Sequence, residues 1–395
     1  MGSRPLSDSE AANLKIVRDA AKDFALLFVT ETGLSKSILD ATLPVRTLLR
    51  EEHLHDYDGQ PQGKSNKVLL QGSIVEDERL ILKEVSVYRP STKKGDPRLW
   101  PSQFKDHAAP GDVIVVFFAK GRLSFLNLSR SSVAADKSRG KQTVASRFFE
   151  ELQQKRTGVA AELLSKLQDI ARGDPLAAVC AGPTAIGRSV EAALGIQANS
   201  RKTPDFRGIE LKAFRSTKAK QGLITLFSKT PDWNRSILRG SKDFLSRFGY
   251  ERNGRRQLYC SVYAVKKNSQ GLRLRINLAA SDLEEFHASG SEQALAVWSL
   301  DSLHSDFRRK HHETFWISAD SEIRAGREYF RLRSVTHTQQ PIVPQFDALL
   351  LSGDICLDHT IKSTQQGVSD HGYLFRVTQE RFVDLFAGEP RSHIL

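Results

Sequence analysis

The stretch that most constrains this chain is Pro204-Asp205-Phe206-Arg207-Gly208-Ile209-Glu210-Leu211-Lys212, preceded by Thr203. Glu210 and Lys212 are two apart within an apolar pattern. On a strand they share one face, while Ile209, Leu211 and Ala213 take the other. An acid beside a lysine, with a second acid a few residues back, is the residue set that metal-assisted phosphodiester hydrolysis needs. Two carboxylates hold a hard divalent cation through oxygen. The lysine orients a water or steadies charge that builds on phosphate. A solvated strand edge carries the same residue types, so the motif has to be read with its neighbours.

Upstream, residues 184–194 read Thr-Ala-Ile-Gly-Arg-Ser-Val-Glu-Ala-Ala-Leu. Ile186, Val190 and Leu194 recur every fourth residue, which predicts an amphipathic helix with Thr184 as N-cap and Gly195 as C-cap. Glu191 lies beside the apolar stripe, placed to lean over the motif as a third carboxylate. An exposed helix acid is the ordinary alternative.

Taken together, Glu191 to Lys212 resembles the active site of the MvaI/BcnI restriction endonucleases, a branch of the PD-(D/E)xK nucleases close to the mismatch-repair nickase MutH. Glu191, Asp205, Glu210 and Lys212 match that pattern residue by residue. Residues 222–233, 354–360 and 369–376 are similar to later family segments, in the right order. The resemblance covers about residues 145–390. It implies an α/β fold, a PD-(D/E)xK nuclease core with a central mixed sheet. It also implies a type II restriction enzyme that cuts double-stranded DNA as a monomer, with Mg²⁺ as cofactor and no obligate protein partner. Asp205, Glu210 and the Leu211 carbonyl would be the metal ligands and Lys212 the catalytic lysine. Glu191 would take an outer or second-metal role. The family's sites are short and GC-rich, with a central variable pair. Two alternatives remain: a MutH-like repair nickase, or a non-catalytic DNA-binding protein that keeps the nuclease fold.

Composition agrees. Lysine and arginine outnumber the acids by 58 to 46, for a formal charge of +12. Such a surplus favours a polyanionic partner. Cys180, Cys260 and Cys356 lie far apart, which suits neither a zinc site nor a disulfide framework. No apolar run reaches membrane-span length, and the N-terminus lacks the apolar core of a signal peptide. A cytoplasmic, bacterial protein is expected, without membrane contact.

Residues 129–143 are polar, small and free of large apolar side chains, a linker composition. The expected division is therefore an N-terminal domain over 1–130, a linker over 131–144 and a catalytic domain over 145–395. The first is expected to be a smaller, β-rich, barrel-like α+β domain. Strand-like runs fall at 67–75, 79–88 and 113–118. An opening helix is expected with Ile16, Ala20, Phe24 and Leu27 on one side. The turn-rich segment 89–100 carries Lys93, Lys94 and Arg98, candidate phosphate contacts, with Trp100 beneath. An extra DNA-binding domain ahead of the nuclease is the arrangement of type IIE enzymes such as EcoRII.

In the catalytic half, residues 145–173 read as two apolar groups of helix with Gly158 as a possible break. Residues 272–278 alternate leucine or isoleucine with Arg273, Arg275 and Asn277, one core face and one basic face. The run Arg308-Arg309-Lys310-His311-His312 reads as a basic surface cluster. Near the C-terminus, Asp358, His359, Asp370 and His371 flank a polar turn and are candidates for reading base edges. The resemblance singles out Asp370 and His371, whose Asp-His-Gly-x-Leu-Phe context matches.

Overall fold

The computed structural model describes residues 4–21, 23–196, 204–216, 222–289, 293–387 and 389–395. Thr203, at the head of the motif, lies outside them. The chain divides into two compact units, Met1–Ala160 and Ala161–Leu395.

The first unit is built on a seven-stranded, nearly closed barrel-like sheet. Its order is Phe24–Phe28, Val113–Ala119, Arg122–Asn127, Val68–Glu76, Arg79–Tyr88, Arg98–Pro101 and Leu39–Asp40. Only Val68–Glu76 with Arg122–Asn127 runs parallel. Both faces of Val113–Ala119 are covered. Ile114 and Val116 enter one apolar cluster, and Val113, Val115 and Phe117 enter another. That explains an unbroken apolar run where a half-exposed strand would alternate.

The opening helix is Asp8–Ala20, fixed by a capping box between Ser7 and Glu10. It stops before Phe24 and Leu27, which belong to a strand instead. The dense Phe-Ala-Leu-Leu-Phe run pairs with Val113–Ala119, and that burial outweighs the helical spacing.

The expected linker is packed structure. It contains the helix Val133–Ser138, with Val133 and Asp136 buried. Asp77 accepts hydrogen bonds from the Ser131 and Ser132 hydroxyls, and Asn13 spans the carbonyls of Leu128 and Ser131. Small polar residues here make side-chain bonds to the chain rather than a loose tether. The boundary between units falls later, within the helix Val144–Arg172. That helix runs through Gly158, at a local cost of about 1 kcal/mol.

The basic loop is shorter than expected. Arg98 and Trp100 sit on the strand Arg98–Pro101, and the preceding loop is tied by Arg89 Nε to the Gly95 carbonyl at 3.1 Å. Lys93 and Lys94 are exposed, and Trp100 packs edge-on against Phe104.

The second unit holds three sheets. In the first, Arg391–Ile394, Arg327–Gln339, Glu313–Arg324 and Glu210–Arg215 lie in that order, with Leu176–Ala177 also on Arg327–Gln339. It is mixed, because Glu210–Arg215 and Glu313–Arg324 are parallel. The second is antiparallel and includes Leu223–Ser228, Leu374–Thr378, Ile355–Thr364 and Arg255–Val262. The third is Leu272–Asn277, Asp282–His287 and Ala296–Ser299. On Leu272–Asn277, Leu272 and Leu274 are buried as expected. Its basic face is engaged within the unit: Arg275 pairs with Glu284 at 2.6 Å, and Arg273 donates to the Ala264 carbonyl. Among the described residues no helix is long and apolar enough to cross a membrane.

Candidate active site

A tight turn sets the motif's spacing. Phe206 and Ile209 each donate N–H to the other's carbonyl at 2.9 Å. Between them Arg207 and Gly208 take φ of 46° and 96°, the positive pair that a two-residue hairpin requires. Asp205 and Glu210 are the next residues outward on the two arms. The Asp-x4-Glu spacing is therefore the length of one hairpin turn. Arg207 is braced by Glu162, with nitrogens 2.7 and 3.1 Å from its carboxylate.

The strand Glu210–Arg215 forms an end of its sheet, with Glu210 in register with Thr314 and Lys212 with Trp316. At its other edge the Leu211 N–H donates to Asp205 Oδ2 at 3.0 Å. The N–H and C=O of one strand residue point to the same side, so the Leu211 carbonyl faces that edge too. The helix Ala185–Ala193 packs against this strand and carries Glu191, half-buried. Ala185, Ile186, Ser189 and Val190 are its buried face. Thr184 precedes the helix but makes no side-chain cap bond.

Glu210 is only 2% exposed. Its Oε1 accepts from Lys212 Nζ at 2.5 Å and lies 3.7 Å from Lys310 Nζ. Its Oε2 is buried without a hydrogen-bond partner among the described residues. An orphaned buried acceptor costs about 1–3 kcal/mol, and a bound cation would relieve it. Burial, then the charge of Asp205, raises the Glu191 pKa. Burial, then the charge of Glu210, raises that of Asp205. Burial would raise Glu210 as well, but the ammoniums of Lys212 and Lys310 hold it below the ordinary carboxylate value. For Lys212, burial is outweighed by Glu210, Asp205 and Glu191, so it stays protonated more firmly than a free lysine. The site thus gathers acids that repel one another around a locked lysine.

Among the described residues no three His, Cys, Asp or Glu side chains converge tightly enough to hold an ion alone. What the site offers is two carboxylates and a backbone carbonyl. That sparse, all-oxygen set suits Mg²⁺, which keeps several of its waters.

A model of the MvaI/BcnI restriction endonuclease family matches residues 164–386, more than half of the chain. The chain belongs to the MvaI/BcnI restriction endonuclease family. It is a type II restriction enzyme, a site-specific deoxyribonuclease. Among solved structures, restriction endonuclease MvaI in complex with its cognate DNA substrate is similar at 24% identity and a TM-score of 0.51. The alignment covers 59% of this chain and 97% of that one. MvaI in the absence of DNA aligns over the same shares at 23% identity and a TM-score of 0.36. No curated protein matches the chain. The first of these likenesses gives the chain an MvaI-like nuclease fold over the share it covers.

The structure brings Glu191, Asp205, Glu210 and Lys212 of this family member together, and it separates the base-reading candidates. Asp370 and His371 are exposed. Asp370 accepts from the Ser241 hydroxyl and from the Gly372 N–H. Asp358 and His359 are buried and must be withdrawn as base readers. His359 Nε2 is 2.8 Å from Glu285 Oε1, both side chains are 0% exposed, and the His359 ring lies against Phe244. Asp358 is paired with Arg376 at 2.6 Å. The depth of their strand in its sheet is the reason: both lie on Ile355–Thr364, whose first five residues are buried on either face.

The basic run at 308–312 is likewise not a surface cluster throughout. His311 is fully buried and His312 nearly so. His311 Nε2 stands 3.1 Å from the Leu226 carbonyl, and its ring stacks on Trp316. Burial, with Lys212 nearby, pushes its pKa down to about 3, so the ring is neutral. Leu300, Leu303, Phe307 and His311 follow helical spacing, and all four are buried on the helix Leu300–His311. That periodicity was the available signal. It also places Lys310 beside the acids, a position that charge counting along the sequence misses.

Proposed function

We propose that this restriction enzyme is a Mg²⁺-dependent nuclease of the PD-(D/E)xK type, with Asp205, Glu210 and the Leu211 carbonyl as protein donors to the ion. The observation that carries the reading is the buried Oε2 of Glu210, without a hydrogen-bond partner among the described residues, on the strand whose Leu211 N–H donates to Asp205. When bound, the cation supplies Lewis acidity at the phosphate and a more acidic water. The chain's own residues do the rest. Lys212, fixed on Glu210 Oε1, directs its remaining N–H groups to the attacking water or to charge developing on the phosphate. Glu191, drawn partly out of water, orders solvent on the outer side of the carboxylates.

Asp370 and His371 are the exposed groups we assign to base reading, at a short GC-rich site. The first unit, with Lys93, Lys94 and Arg98, serves as a DNA-binding effector domain of the type IIE kind. Its two-unit chain acts as a monomer in the bacterial cytoplasm, without an obligate protein partner.

Plasmid cleavage with Mg²⁺ against EDTA tests the central claim. Lys212→Ala and Asp205→Ala should lose about 10²–10³-fold or more in rate while still binding DNA. Wild-type rates in either variant would refute the assignment. On a denaturing gel, double-strand breaks support a restriction enzyme of this kind; products that stop at nicks would transfer the reading to a MutH-like nickase.

A further inference from the structure

Two ammonium groups converge on one oxygen of Glu210, and they are held differently. Lys212 Nζ is hydrogen-bonded to Oε1 at 2.5 Å, whereas Lys310 Nζ stands 3.7 Å away. The second distance is beyond hydrogen-bond reach. The Lys310 ammonium makes no hydrogen bond with the described residues, and the side chain is 24% exposed. Its place is nonetheless well defined. The helix Leu300–His311 buries Leu303, Phe307 and His311, then leads straight into Glu313–Arg324, whose Thr314 is in register with Glu210. His311, the next residue, is pinned by the Leu226 carbonyl and by Thr314 Oγ1, each at 3.1 Å.

Glu191, Asp205 and Glu210 are met by Lys212 and Lys310 at Glu210 and by the charge of Arg188 at Glu191, which leaves no cationic surplus at the carboxylates. A phosphodiester brought against them adds further negative charge. Lys212 is committed to Glu210. Lys310 sits at Glu210, reaches solvent and, among the described residues, keeps its three donors free of hydrogen bonds. We propose that Lys310 is a second catalytic lysine, whose ammonium binds a non-bridging oxygen of the scissile phosphate while Lys212 serves the attacking side. This rests on the nuclease reading above.

The test uses the full-length chain as wild type, Lys310→Ala, Lys310→Gln and Lys310→Arg. Cleavage is followed on a plasmid, and binding on a fluorescent duplex taken from around a mapped cut position, in EDTA over a salt series. Lys310→Ala and Lys310→Gln should lower single-turnover cleavage at saturating DNA about ten- to a hundredfold. They should also reduce the slope of log Kd against log salt by roughly 0.9, the loss of one phosphate contact. Lys310→Arg should keep the slope and recover most of the rate. A wild-type salt slope in the two neutral variants, or cleavage within about threefold of wild type, overturns the proposal. So does unfolding of both neutral variants in a thermal melt, which makes the charge structural. If wild type itself fails to cut with any divalent cation, the nuclease reading falls, and salt slopes measured on a duplex of arbitrary sequence still report on Lys310.

Discussion

Asp205 and Glu210 are adjacent across a hairpin turn whose two central residues, Arg207 and Gly208, both take positive φ. The turn brings the two acids to one strand edge, and Glu162 braces it through Arg207. Gly208, at φ +96°, is the residue the turn cannot replace freely. A side chain there meets no neighbour, but the backbone conformation is strained for any L residue. Gly208→Ala is expected to cost about 1 kcal/mol in stability, and to lower cleavage more than the small drop in Tm accounts for, by displacing Asp205. Cleavage equal to wild type at 20 °C would show that the turn does not set the acid pair.

The acids are strained by each other, and pH should reveal it. Asp205 is held above its ordinary pKa, first by burial and then by Glu210. A carboxyl whose pKa is higher folded than unfolded favours the fold below the unfolded pKa, near 3.9. That advantage is lost as pH rises through the folded value. Asp205→Asn keeps an acceptor for the Leu211 N–H and removes the charge. In EDTA at pH 8 it should therefore melt a few degrees above wild type, the shift that about 1 kcal/mol gives in a unit of this size. The gap should close as pH falls to 4. Adding Mg²⁺ should raise the Tm of wild type and leave Asp205→Asn unmoved, by linkage of binding to stability. A constant gap from pH 4 to 8 would contradict the charge argument.

Much of this site was legible because its logic is local. Alternation put Glu210 and Lys212 on one face, and apolar recurrence put Glu191 beside a buried stripe; both relations hold in the fold. Phe24 and Leu27 were misjudged because helical spacing and a short buried strand look alike over so few residues. Segment 131–144 looked like a tether because capping serines and a linker's serines are the same residues. His359 could not be sorted from His371 by composition. What separates them is strand depth in the sheet, which only pairing across distant segments decides. Lys310 was missed for the same reason, since its meaning depends on the parallel register between residues a hundred positions apart.

His359 and His371 should now diverge under mutation. His359→Ala removes the partner of Glu285 in a site closed to water. Leaving the buried Glu285 carboxylate without its hydrogen-bond partner costs about 1–3 kcal/mol or more, and the deleted ring leaves a cavity against Phe244, so the variant should lose several degrees of Tm or fail to accumulate. His371→Ala touches an exposed residue and should leave Tm within about a degree. Its effect should appear in cleavage, as a lower rate at the cognate site relative to near-cognate sites. Equal Tm for both variants would place His359 outside the core; unchanged site preference in His371→Ala would remove it from base reading.

The first unit carries the last prediction. Its loop after Arg89 is held in shape by the Arg89 side chain on the Gly95 carbonyl and by the Gly95 N–H on the Thr92 hydroxyl, yet Lys93 and Lys94 project free of ion pairs among the described residues. Arg98 is different: half-buried on a strand, with its Nε lacking a hydrogen-bond partner and its carbonyl bonded by the Tyr57 hydroxyl. If this face meets DNA, the two lysines act as point charges and the arginine as a fixed donor. Lys93→Ala and Lys94→Ala should each lower the salt slope of DNA binding by about one unit, with no change in site preference. Arg98→Ala should lower it as well and also cost some stability, because its stem packs in the sheet. The full-length protein is the object to measure, with cleavage of one-site and two-site plasmids beside the binding series. An effector domain makes the wild type cut the two-site plasmid faster, and the triple variant loses that advantage while keeping the one-site rate. Equal rates on both plasmids for wild type, together with unchanged salt slopes in the variants, would leave the first unit a support for the nuclease and nothing more.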